Sequence, residues 1–130
     1  MSNNVQTIKA MYEAFGRGDI PFIMSHLDEN VVWESEGPEI ISFAGIHHGH
    51  AGALRFFQAI AKDHENIKLD MPVIFADGDH VAAFGRYSVT MKATGKPADT
   101  PLAHFWTFRN GKVTRYVNYS NTAAYVEALS

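Results

Sequence analysis

No cysteine occurs anywhere in the chain. That excludes disulfides, thiolate metal sites and cysteine nucleophiles together. There is no run of about 18 apolar residues, so no membrane-spanning helix is expected. Lysine and arginine are scattered, 11 of them against 14 acidic residues. A nucleic-acid footprint, which needs a concentrated basic stripe, is therefore not expected. The opening Met-Ser-Asn-Asn carries no charged-then-apolar leader and runs straight into an amphipathic segment, so a cytoplasmic location is the expectation. Glycine-rich phosphate loops and Ser/His/Asp nucleophile motifs are missing. No repeat and no linker rich in Pro, Gly or Ser divides the chain.

What is present is a globular composition, 46% hydrophobic and 19% charged over 130 residues, enough for one core and not two. One domain over residues 1–130 is expected. Val5, Ile8, Met11, Tyr12 and Phe15 recur at helical spacing after Ser2, Asn3 and Asn4, which can cap the start. Gly16-Arg17-Gly18 stops that helix, and Asp19 caps a second, short one with Pro21 in its first turn. Val31 to Ser35 is β-prone, and residues 36–49 read as loop. A third helix is expected over 50–64, with Ala53, Leu54, Phe57, Ile60 and Ala61 as its apolar stripe.

After it the period switches from 3.6 to 2. Ile67, Leu69, Met71, Val73 and Phe75 alternate with Lys68, Asp70 and Pro72, as on a half-buried strand. Asp77-Gly78, Thr94-Gly95-Lys96-Pro97 and Asn110-Gly111 mark three hairpin turns. The intervening strands span 80–92, 101–109 and 112–120, and Asn121 is expected to cap a terminal helix from Thr122 to Leu129. The expected fold is α+β: a cone-shaped, curved antiparallel sheet, a four-stranded meander plus a short N-terminal strand, packed against three helices. Leu54, Phe57, Val73, Phe75, Trp106 and Phe108 are expected to be buried. The concave side would hold an apolar pocket. Apolar residues on both strand faces, such as Ile74 opposite Val73 and Phe105 opposite His104, predict a homodimer through the outer face.

Several local motifs resemble one family. Met11-Tyr12-Glu13-Ala14-Phe15, Gly18-Asp19 and Val31-Val32-Trp33-Glu34 are similar to the opening of SnoaL-like proteins of the nuclear transport factor 2-like superfamily. Phe43-Ala44-Gly45 through Gly49 resembles their loop, and His104 to Val113 their late hairpin. The superfamily includes ketosteroid isomerases, polyketide cyclases and epoxide hydrolases, so fold alone does not give function. For the isomerases, the resemblance puts the carboxylate base at Ser35, the oxyanion tyrosine at Met11 beside Tyr12, and the oxyanion acid at His104. For the epoxide hydrolases it puts the Asp-Arg-Asp set at Ser88, Arg86 and Asn118. For the cyclases it pairs His104 with Asn118. Every inherited carboxylate has gone.

The resemblance and the strand alternation together nominate His104, Asn118 and Arg86 as catalytic. His104 would transfer the proton, Asn118 would orient it or the substrate carbonyl, and Arg86 or Tyr12 would stabilise negative charge. Tyr12, Trp33, Ser35, Phe57, Phe84, Trp106 and Tyr116 are the candidate substrate-binding residues. Blander readings stand beside these. His104 fits a neutral core histidine, Asn118 a plain sheet residue, and Tyr12 and Trp33 core filling. His47, His48 and His50 lack the helical spacing and carboxylate of a metal set and read as loop histidines. No cofactor is expected. The expected partner is an apolar, carbonyl-bearing small molecule of polyketide or steroid size, handled by an isomerase- or cyclase-type enzyme. The alternative is a non-catalytic ligand-binding or dimerisation domain.

Overall fold

The computed structural model describes residues 3–130; Ser2, one of the expected caps, lies outside the described residues. Helix α1 spans Asn4–Gly16 and α2 spans Ile20–Ser25; they are followed by strands β1, Leu27–Ser35, and β2, Gly45–His48. Helix α3 covers Gly49–Asp63, then come β3 at His64–Asp77, β4 at His80–Met91, β5 at Pro97–Arg109, β6 at Lys112–Ser120 and α4 at Thr122–Ala128. The Asp19 carboxylate accepts from Phe22 N at 3.2 Å and so caps α2 as expected, whereas the Asn121 side chain, at the start of α4, makes no cap bond. Both residues of the Asn110-Gly111 turn have positive φ, the signature of a tight hairpin.

The strands form one six-stranded sheet in the order β2-β1-β6-β5-β4-β3. All neighbours run antiparallel except β1 and β6, which are parallel. The sheet is thus larger than expected: β1 begins at Leu27, and β2 arises from the segment read as loop. Four residues with glycine at each flank give little periodic signal. The helices cover the inner face with Ile8, Met11 and Ala14 of α1 and Ala53, Phe56, Phe57 and Ile60 of α3. One cluster of buried apolar side chains runs from Ile8 to Ala128.

Leu54, Val73 and Phe75 correct the expected core; Phe57, Trp106 and Phe108 are buried, but these three are exposed. Leu54 lies off the helical stripe at 53, 56, 57 and 60. The other two reflect β-bulges. Strand β3 slips register against β4 between Glu65 and Lys68 and again between Asp70 and Val73. Each extra residue exchanges the faces of all that follows, so Leu69, Met71 and Ile74 turn inward while Val73 and Phe75 turn out. The second bulge sits over Gly85 of β4, where a Cβ would lie 1.8 Å from Asp70 O. Only glycine admits that crossing. Pro72, at the same bulge, sits on an edge strand where its missing N–H costs no ladder bond.

Candidate active site

Alternation on the regular strands builds one inner face. Across β4, β5 and β6 the register aligns Ala83 with His104 and Asn118, and Val81 with Trp106 and Tyr116. Across the parallel seam Trp33 of β1 meets Tyr116, and Ser35 meets Asn118. Helix α1 brings Tyr12 over this face. The result is an apolar, strongly aromatic cavity of about 60 Å³, lined by residues from all four helices, from β1, β3, β4, β5 and β6, and by Phe43 of the loop before β2. That is room for about four waters, so a larger ligand has to shift the lining.

His104 is the hub of its polar side. Its Nδ1 lies 2.8 Å from Tyr12 Oη and its Nε2 lies 3.1 Å from Tyr116 Oη. Trp106 Nε1 donates to the same Tyr12 oxygen at 3.2 Å. Burial lowers the imidazole to about 3, with the nearby Asn118 amide pulling the other way. Burial likewise pushes the Tyr12 and Tyr116 hydroxyls upward. All three groups are therefore neutral near pH 7. A neutral imidazole has one N–H and one lone pair. One tyrosine must give its proton to the ring while the other receives the ring's proton. Whichever tautomer holds, one phenol proton is left over.

Asn118 Nδ2 donates to Ser35 Oγ at 3.0 Å, whereas Asn118 Oδ1 has no hydrogen-bond partner. Ser35 thus braces Asn118 from behind and is not among the lining side chains. Tyr12, Trp33, Phe57, Trp106, Tyr116, His104 and Asn118 do line the cavity. Arg86 and Phe84 do not. Buried residues of β4 fall at Val81, Ala83, Tyr87 and Val89, so the even positions face outward. Arg86 pairs there with Asp99 at 3.2 Å, both side chains well exposed, and Phe84 is also exposed.

Three residues escaped the sequence reading. Tyr87 and Tyr125 line the cavity, and His64 stands behind Tyr87 with Nδ1 2.8 Å from its hydroxyl. Burial lowers His64 to about 4, against an opposing effect of Asp63. Tyr87 shares its parity with Val81, Ala83 and Val89, and that signal was available. Of the loop histidines, His47 and His50 bond the carbonyls of Phe43 and Leu27, each at 2.9 Å. They pin the chain between β1 and α3. Among the described residues no group of three His, Asp or Glu is placed to hold a metal, and no helix is long and apolar enough to cross a membrane.

The family profile of the SnoaL-like domain matches residues 8–116. The chain belongs to the SnoaL-like family. Its fold is shared by an NTF2-like protein of unknown function from Burkholderia pseudomallei, 27% identical with a TM-score of 0.92, covering 100% of this chain and 99% of that one. TerC, co-crystallised with polyporic acid, is 30% identical with a TM-score of 0.88 over 98% of each chain. An NTF2-like protein from Burkholderia xenovorans is 29% identical with a TM-score of 0.88, over 98% of this chain and 96% of that one. Among proteins with curated functions none matches. Within this SnoaL-like domain no carboxylate lines the cavity, among the described residues.

Proposed function

We propose that this SnoaL-like protein binds an apolar, carbonyl-bearing small molecule and activates it by donating a hydrogen bond to its carbonyl oxygen, in an isomerase- or cyclase-type reaction. The observation that carries the reading is the spare phenol proton of the Tyr12–His104–Tyr116 set inside an otherwise apolar cavity. A preorganised donor in a water-poor site stabilises charge developing on oxygen far better than water does. His104 acts through the two hydroxyls: with both nitrogens engaged and burial holding it near 3, it is a weak base at neutral pH. Without a carboxylate to take a proton, the fitting substrates are carbon acids that lose one to water, such as polyketide-like 1,3-dicarbonyls. TerC, which was co-crystallised with polyporic acid, supports an oxygen-bearing organic ligand.

Both tryptophans of the chain line the cavity, so their fluorescence reports occupancy. Titration with polyporic acid and with aromatic 1,3-diketones is expected to quench it. Turnover of the diketones should fall ~10²-fold or more in Tyr12→Phe/Tyr116→Phe, which removes every spare proton. Binding without turnover on the whole panel would favour a ligand carrier, and no binding would end the reading.

The outer sheet face fits a second copy of the chain. Val73, Phe84, Ala103 and Tyr119 form one row across four strands, and Phe75, Ala82, Phe105 and Val117 the next. Val73, Phe75, Phe84 and Tyr119 are exposed, and the Phe75 and Phe84 rings stack at 5.9 Å. A patch crossing four strands is covered by its own symmetry mate in a two-fold dimer. Sedimentation at micromolar concentration is expected to give a dimer; a monomer would refute it.

A further inference from the structure

Two buried polar atoms on residues that line the cavity have no hydrogen-bond partner among the described residues. One is the acceptor Asn118 Oδ1 and the other is the donor Trp33 Nε1. Both side chains are at least nine-tenths buried, at 5% and 2% exposure, and both line the cavity. They come from adjacent strands two register steps apart: Trp33 pairs with Tyr116, and Ser35 with Asn118. Neither is free to turn away. Ser35 holds the amide at 3.0 Å, and the indole stacks on Tyr116 at 4.0 Å between ring centroids. The amide assignment decides the kind of the second atom: with Nδ2 on Ser35 Oγ, the atom left unpaired is the acceptor Oδ1.

A buried polar atom left unpaired is destabilising, and native interiors hold few of them. Here there are two of opposite kind on one cavity. We propose that they are the recognition pair for a ligand hydroxyl: its oxygen accepts from Trp33 Nε1–H, and its proton goes to Asn118 Oδ1. An enol or phenol supplies both roles on one atom, and a neighbouring hydroxyl and carbonyl divide them. A plain ketone or ether satisfies Trp33 and leaves Asn118 stranded. The site therefore prefers the hydroxyl-bearing form of its ligand, the enol over the ketone. This rests on the pocket reading given above, and it assigns the amide at the inherited acid position a task that reading does not use.

Three single-ring probes test it by calorimetry: propylbenzene, 4-propylanisole and 4-propylphenol. The phenol is expected to bind wild type about tenfold or more tighter than the anisole, since one buried hydrogen bond is at stake. In Ser35→Ala/Asn118→Leu that gap should close, while the melting temperature holds or rises because an unpaired atom has been removed. Trp33→Phe should narrow the gap between anisole and propylbenzene. Equal binding of phenol and anisole to wild type overturns the proposal and leaves the pocket reading standing. A gap that survives in the double variant also overturns it. If none of the three binds, the pocket reading itself fails.

Discussion

Strands β3 and β5 are nearly equal in length, 14 and 13 residues, yet they behave as opposites. From Leu102 to Phe108, β5 alternates without interruption, each even residue buried and each odd one turned outward. It lies inside the sheet, bonded on both sides, and carries His104 and Trp106. β3 is an edge, bulged twice, and past His64 none of its side chains is fully buried. Against β4, strand β5 keeps one register over its whole length, and the periodic pattern can be read through it. A strand held on one side can take up extra residues, which here fold it around Gly85 and bring Leu69 to the cavity wall. Rigidity sits where the polar network is, and irregularity where the cavity is closed.

The sharpest way to break this contrast is Gly85→Ala. The added Cβ would sit on the Asp70 carbonyl, so either the bulge or the β3–β4 ladder must give. A loss of about 3 kcal/mol or more is expected by denaturant unfolding, with the cavity wall disturbed as well.

Acid comes next, because each strand buries one histidine. His64 and His104 are held down to about 4 and about 3, below the 6.5 of the unfolded chain, so the unfolded state binds more protons between those values. Their contribution is complete above pH 6.5 and is lost as pH falls towards the folded values. Near pH 5 stability should decline by about 2.8 kcal/mol per pH unit at most, about 1.4 from each group. His64→Gln and His104→Gln should each halve that slope. Below pH 4 only His104 continues to contribute, which separates the β3 histidine from the β5 one.

Tyr12→Phe is a smaller perturbation of the β5 side. It removes the shared oxygen between Trp106 and His104, and a cost of about 1–2 kcal/mol is expected in thermal unfolding. The least is expected on the outward face of β3. Phe75→Ser should change monomer stability by about 0.5 kcal/mol or less, while sedimentation should show the dimer weakened.

This contrast also marks what could be read from residues alone. His104 and Trp106 follow from alternation on a strand that runs unbroken against β4, whereas the β5–β6 ladder shifts register between Thr107 and Phe108, so the turn at Asn110-Gly111 alone would pair His104 with Val117 and not with Asn118. Val73 and Phe75 were placed on the wrong face because a bulge leaves no mark on a pattern apolar on both parities. Arg86 and Phe84 went astray differently. Matching to the family put Arg86 in the pocket, although the parity of Val81, Ala83 and Val89 points to Tyr87 instead. Ser35 was recognised at the right place with the wrong task, since its bond to Asn118 depends on a parallel pairing that local sequence does not announce.

That parallel pairing has a consequence for how the protein is made. Ser35 and Asn118 are 83 positions apart, and Tyr12 and His104 are 92 apart. A ribosome has therefore released the first helices, β1 and the β3–β4 hairpin well before the residues that complete the polar cluster emerge. Until β6 inserts beside β1, the central strand of the finished sheet is missing and β1 presents an open edge to other chains. Contacts this distant are slow to form. The nascent chain is thus exposed to aggregation in the interval before β6 arrives, and the ligand cavity is completed only when it does.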